Sequence, residues 1–120
     1  DINLAAKILH SAGPEVVVIK MGARGSYLSY HDQSFFVPAF HVDRVIDPTG
    51  AGDSFAGGLM GYLAGTKSPE YLDAVIAGSA IASFSVEGFG GSSLLSCNID
   101  ILNERIDTIK KSFEYDCEKK

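Results

Sequence analysis

The sequence has no tryptophan and only two cysteines, Cys97 and Cys117. They stand far apart, with no CxxC and no second metal-binding pair, so neither a zinc cage nor a redox dithiol is coded. One disulfide and two free thiols both remain open; the preferred expectation is two free thiols in a reducing cytosol. Basic residues are also scarce. Lys+Arg 10 against Asp+Glu 15 leaves a net charge of −5, which argues against the basic face that a general nucleic-acid or acidic-membrane binder needs. No apolar run has the length of a membrane span, no secretory leader pattern is seen, and there is no internal repeat or low-complexity linker. The expectation is a cytoplasmic protein. Its chain starts at Asp1 without Met and enters a helical pattern at once, so a piece of a longer chain is also expected.

What is present suits a folded domain. The chain has 120 residues, 46% of them hydrophobic and 21% charged. A chain of that length makes one domain and buries roughly two-thirds of the surface its unfolded form exposes. Leu4, Ala5, Ile8, Leu9 and Ala12 recur at helical spacing, and Gly13-Pro14 stops that helix. Glu15 to Lys20 is a β-branched run without alternation, which predicts a strand buried on both faces, as in a helix-covered parallel sheet. Ser26–Tyr30 and Phe35–Val37 read as strands around a hairpin turn, and 41–46 as extended. Helices are expected from Ser54, from Ser68-Pro69 to about Val86, and from Asn98 or Asp100, the last with an Ile99, Leu102, Ile106, Ile109, Phe113 stripe. Phe35, Phe36 and Phe84 are expected in the core. Strands early and helices late fit part of an α/β sandwich rather than a complete doubly wound sheet.

Chemistry concentrates at Gly50-Ala51-Gly52-Asp53, between an extended segment and a helix. Glycines there allow a tight turn and a close ligand approach. The helix that follows leaves its first N–H groups unpaired, with the positive end of its dipole on the loop, which suits an anion. Asp53 admits two readings: a helix N-cap, or a base that takes a proton from a hydroxyl as its oxygen attacks phosphorus. A Walker A loop is excluded, because no Lys occurs between Arg44 and Lys67. A dinucleotide fingerprint is excluded too, because Phe55 stands where its third glycine belongs. Lys20 ends a strand beside a glycine turn and is either a phosphate contact or a solvated strand end. His10, His31 and His41 make no metal set and read as surface or packing residues.

The stretch Asp47-Pro48-Thr49-Gly50-Ala51-Gly52-Asp53-Ser54-Phe55-Ala56-Gly57-Gly58-Leu59-Met60 resembles the C-terminal signature of the PfkB, or ribokinase-like, family of carbohydrate and nucleoside kinases. Lys20-Met21-Gly22-Ala23-Arg24-Gly25, Phe36-Val37-Pro38-Ala39 and Val86-Glu87-Gly88-Phe89-Gly90 resemble that family as well. The resemblance implies an α/β fold, part of a ribokinase-like three-layer α/β/α sandwich. Residues 1–120 would form its C-terminal nucleotide-binding and catalytic-base portion, without the N-terminal half and lid. It implies phosphoryl transfer from ATP, with Mg²⁺, to a hydroxyl of a small sugar or nucleoside. Asp53 would be the base, and Gly50, Ala51 and Gly52 the anion hole. Gly22, Arg24, Gly25, Gly78 and Gly90 would lie along the nucleotide, although Gly78 has no side chain to offer an adenine and the small helix face there also suits plain packing. Asp47, Thr49, Ser85, Gly88 and Gly90 would fall at a monovalent cation, K⁺ in some members. A homodimer is compatible with a full-length protein. A truncated, non-catalytic nucleotide-binding or interaction module is the alternative. A third reading, a kinase of a pyrimidine-like alcohol, is disfavoured because that loop often contains Cys. Isolated, such a piece would expose apolar sheet surface.

Overall fold

Asp1 caps the first helix, its carboxylate accepting the Asn3 N–H at 2.9 Å. Helix α1 runs Ile2–Ser11 and ends before Gly13, whose φ of 132° suits only glycine. The computed structural model describes residues 1–46, 48–68, 70–88 and 98–118, apart from the side chains of 113–118. Cys97, Phe89, Asp47, Pro69 and Gly90, and the side chains of Phe113 and Cys117, lie outside the described residues.

Three strands follow: β1 (Val16–Lys20), β2 (Ser26–Tyr30) and β3 (Gln33–Val37), in the order β1-β2-β3. Both pairings are antiparallel, with Val18 opposite Leu28 and Leu28 opposite Phe35. The parallel neighbour expected for β1 is corrected among the described residues: β1 pairs antiparallel with β2 alone, with Val17 buried on one face and Val16 and Val18 half-buried against the core on the other. A β-branched run records a demand for cover but not the direction of its neighbour. The β2–β3 turn is His31-Asp32, with φ of 48° and 61°. Two left-handed residues give the two-residue hairpin whose twist matches its strands.

Pleat alternation divides the sheet. Val16, Val18, Leu28, Tyr30, Phe35 and Val37 face the main core. Helices α3 (Tyr71–Ser85) and α4 (Ile99–Glu118) cover that face, while α2 (Ala51–Ala64) packs on α3. Leu28, Val37, Phe55, Val75, Ile76, Ala80 and Ile109 form the buried cluster. α3 is buried on most of its surface from Ala74 to Ser85, as a helix packed among other elements should be. α4 begins at an Asn98 cap, whose side chain accepts the Ile101 N–H at 3.0 Å. Its Leu102, Ile106 and Ile109 pack on the core, whereas Ile99 is exposed.

The other sheet face meets α1 through small and polar residues. Ala6 is buried there, Tyr27 Oη donates to Asn3 Oδ1 at 2.6 Å, and His10 Nε2 bonds Ser29 Oγ at 2.9 Å. The expected apolar stripe of α1 is corrected accordingly: Leu4 and Ile8 are 56% and 62% exposed. Asn3, Ala6 and His10 recur at helical spacing, so orienting that side to the sheet turns the stripe outward. Phe36, expected inside, is also exposed on this face, while Phe84 is buried. Residues 41–46 form no strand. Pairing partners, which extended residues need, are taken there by one bond, Ile46 N–H to Val86 O at 2.7 Å.

Candidate active site

The loop before α2 is shaped by Gly50. It is the N-cap, with φ 86° and ψ −4° in the left-handed region, and its carbonyl accepts the Ser54 N–H at 2.9 Å. The helix therefore starts at Ala51, three residues earlier than its apolar periodicity indicates. Asp53 sits in the first turn and is exposed. It is not the cap, which removes the capping account of this residue. Ala51 N–H is turned back onto the Pro48 carbonyl at 3.2 Å. Among the described residues, the N–H groups of Gly52 and Asp53 have no acceptor. With the helix dipole behind them they make a positive pole at the loop.

This pole borders a cavity of about 590 Å³. Lys20 and the Gly22–Gly25 turn form one wall, Ala51 and Phe55 another, and Ser79, Ala82, Ser83 and Val86 of the α3 end a third. The turn is a single 3₁₀ turn, Gly22–Arg24, that opens on Gly22 and ends at Gly25, both at positive φ, 62° and 117°. A Cβ at Gly25 would run into the Val37 carbonyl, so glycine is required to let the turn lie on β3. Asp53 and Arg24 do not line the cavity; both are exposed at positions flanking it in sequence. A larger cleft of about 970 Å³ opens between α1 and the β2–β3 hairpin, lined by Asn3, Lys7, His10 and Tyr27 among others. It includes no residue of the glycine motifs, which sets it apart from this chemistry.

Gly78 does not line this cavity. It is buried where α3 crosses α2, and a Cβ there would stand 2.7 Å from the Phe55 carbonyl and 3.3 Å from its ring. Gly58 of α2 faces it, so two glycines let the helix backbones approach. From α3 it is Ser79, Ala82 and Ser83 that reach the cavity. The Ile46–Val86 bond ties the segment entering the motif to the α3 end. Thr49 is exposed; Ser85 is buried, its hydroxyl donating to Ala82 O at 3.0 Å; Gly88 is half-buried. Asp47 and Gly90 fall outside the described residues.

One arrangement escapes sequence reading. Arg105 of α4 lies between the rings of Phe84 and Phe40, 3.8 Å and 4.7 Å from their centroids. Its Nη1 donates to Ser83 Oγ at 2.8 Å and pairs with Glu87. Phe40 and Ser83 line the cavity, so Arg105 braces its back wall. The available signal was phase: Arg105 stands three residues after Leu102 and four before Ile109, on the flank of the buried stripe.

With that geometry in view, the likeness to known proteins is specific. The family model described as "pfkB family carbohydrate kinase" matches residues 1–97. The chain belongs to the pfkB family. It is 38% identical over 89 residues to ribokinase of Haemophilus influenzae, covering 74% of this chain and 28% of that one. A fructokinase from Vibrio cholerae, solved with fructose, ADP and potassium ion, superposes with a TM-score of 0.77 at 25% identity, over 88% of this chain and 35% of that one. An aminoimidazole riboside kinase from Salmonella enterica, solved with aminoimidazole riboside and an ATP analog, gives 0.75 at 30% identity, over 87% and 35%. The ribokinase-like fold expected for this pfkB chain is thereby established, with a small sheet and four helices among the described residues. The chain spans about a quarter of the length of the curated relatives it matches. Among the described residues no helix is long and apolar enough to cross a membrane.

Proposed function

We propose that this chain carries the phosphoryl-binding loop and catalytic base of an ATP-dependent kinase of a small sugar or nucleoside. The observation that carries the reading is the Gly50–Asp53 loop: two N–H groups with no acceptor among the described residues at the start of α2, beside a cavity shared with the Gly22–Gly25 turn, in a pfkB chain. Asp53 accepts the proton of the substrate hydroxyl as that oxygen bonds to the γ-phosphorus. The bond from phosphorus to the β-phosphate oxygen breaks, and ADP leaves with that electron pair. Gly52 N–H and Asp53 N–H face the charge on the transferring group. The nucleotide occupies the cavity between the Gly22–Gly25 turn and the α3 end.

The fructokinase solved with fructose, ADP and potassium ion supports a nucleotide and a monovalent cation as ligands of this fold. The residues proposed for K⁺ are Asp47, Thr49, Ser85, Gly88 and Gly90; of the segments that carry the described ones, the one entering the motif is tied to the α3 end by the Ile46–Val86 bond. For Mg²⁺ the fit is different. Among the described residues no three His, Cys, Asp or Glu side chains gather, so no ligand in this chain is assigned to it. The acceptor alcohol is left at the level of sugar or nucleoside.

Asp53→Asn tests the reading in the full-length protein. Loss of the base should lower kcat by about 10²- to 10⁴-fold and leave ATP affinity nearly unchanged. Undiminished turnover in that variant removes Asp53 from the role. Nucleotide binding without turnover in the wild-type protein points instead to the non-catalytic module.

A further inference from the structure

The cleft between α1 and the β2–β3 hairpin holds a hydroxyl paired with a base. Tyr27 and Ser29 alternate along β2 with the core-facing Leu28 and Tyr30, so both present their side chains to α1. On α1, Asn3, Lys7 and His10 recur at helical spacing and line the same cleft. His10 Nε2 lies 2.9 Å from Ser29 Oγ, and His10 Nδ1 lies 2.9 Å from the Pro14 carbonyl oxygen.

The second contact fixes the first. A carbonyl oxygen only accepts, so Nδ1 carries the ring proton and donates to Pro14. In the neutral imidazole Nε2 is then the acceptor, and the Ser29 hydroxyl donates to it. Nucleophile, base and a group that orients the base therefore stand in line, with a backbone carbonyl in the orienting place. Ser29 is half-buried, and about 970 Å³ of cleft opens beside the pair, so a small substrate can reach the hydroxyl. Tyr27 Oη holds Asn3 Oδ1 at 2.6 Å, which leaves the Asn3 amide N–H groups as donors. Lys7 adds an ammonium one turn before His10. Both are donors for an oxygen that gains charge in the cleft. Glu15 and Asp32 also line it and outnumber that one lysine, so the cleft does not favour an anionic substrate.

We propose that Ser29 and His10 form a second catalytic site, which hydrolyses small uncharged esters. It shares no residue with the Gly50–Asp53 loop or the cavity beside that loop, and it does not rest on the kinase reading. Ser29 Oγ bonds to the ester carbonyl carbon while its proton passes to His10 Nε2. The bond from that carbon to the alkoxy oxygen breaks, and the leaving oxygen takes the electron pair and the proton held on Nε2. Water then attacks the acyl group on Ser29 and gives a proton to Nε2. The carbon–Oγ bond breaks, and Oγ recovers that proton. The net change is ester plus water to carboxylic acid plus alcohol.

The experiment uses two probes on the full-length protein: p-nitrophenyl acetate for turnover, and a fluorophosphonate for trapping. In the trap the Oγ–phosphorus bond forms as fluoride leaves with the phosphorus–fluorine electron pair, and the adduct stays for peptide mapping by mass spectrometry. Nitrophenolate release should fall about 10²- to 10⁴-fold in Ser29→Ala and in His10→Gln. The fluorophosphonate should label Ser29 at least about 100-fold faster than Ser11 or Ser34, which line the same cleft. Labelling of Ser29 no faster than of those two serines in the wild-type protein overturns the proposal, and that comparison needs no variant to fold. Ser29 labelling undiminished in His10→Gln overturns it as well, because the reactivity would then not come from the pair.

Discussion

Arg105→Met should cost the full-length protein about 2–4 kcal/mol of stability, a large value for one helix residue. The guanidinium is 15% exposed and its partner Glu87 34% exposed, so the pair is screened less than a surface bridge. A hydrogen bond made by a charged group is worth about 1.5–3 kcal/mol, and Arg105 makes one to Ser83 Oγ at 2.8 Å besides the Glu87 pair. Each desolvated cation–π contact adds about 1–2 kcal/mol, and there are two, at 3.8 Å and 4.7 Å. These do not simply sum. Methionine keeps the packing of the aliphatic stem, and Glu87 regains some water when its partner goes. Urea denaturation of the wild-type protein, Arg105→Met, Glu87→Gln and the double variant measures both the total and the coupling. The coupling should reach about 1–2 kcal/mol. A single-variant loss below about 0.5 kcal/mol, or no coupling, would show that the clamp holds nothing and that the cavity wall is braced by apolar packing alone.

Gly25→Ala should be among the most damaging small substitutions. Its φ of 117° is hostile to an L side chain, and the new Cβ meets the Val37 carbonyl, which belongs to a paired strand and cannot retreat. A loss above about 3 kcal/mol, or failure to accumulate folded protein, is expected from strain plus overpacking; wild-type unfolding curves would contradict the placement of the turn. The Tyr62 phenol is held above its ordinary value of about 10, first by desolvation and then by Asp73, to whose Oδ2 it donates at 3.5 Å. A raised folded-state value means the folded protein keeps a proton that the unfolded chain releases. Its contribution is therefore complete below the ordinary tyrosine value and is lost as pH rises through the raised one. Ultraviolet titration should show one phenol ionising later than in Tyr62→Phe, and Asp73→Asn should bring it earlier; no change in Asp73→Asn would refute the assigned partner.

The parts of this fold that were legible are those written in local chemistry. β2 and β3 declare themselves by alternation around two residues that tolerate positive φ, and the observed register pairs Tyr30 with Gln33 across His31-Asp32. Asn98 reads as a cap because its side chain can reach an N–H three residues on, and it does. The loop at Gly50–Asp53 stands out because glycines, a carboxylate and a helix start coincide there. Its boundary was misplaced because periodicity begins at Phe55, whereas hydrogen bonding begins at Gly50. What was not legible depends on partners distant in sequence. A stripe such as Leu4-Ile8 shows that a helix has an apolar side, not that the sheet will take that side. Here two polar contacts, Tyr27–Asn3 and His10–Ser29, select the other.

The same distinction explains the site. Gly78 and Gly52 are the same residue type, each inside a helix, and composition cannot separate them. Their neighbours do: the Phe55 carbonyl lies against one, an ammonium against the other. Phe55 links both, its backbone receiving α3 at Gly78 and its ring lying under Lys20. A residue that reads as core from its spacing thus sets the distance between α2 and α3 and supports the cation over the loop. Enlarging position 78 would push on the segment that presents Gly52 and Asp53. Packing and loop geometry meet in one side chain, so a substitution deep in the α2–α3 contact should register at the Gly50–Asp53 loop as well as in stability.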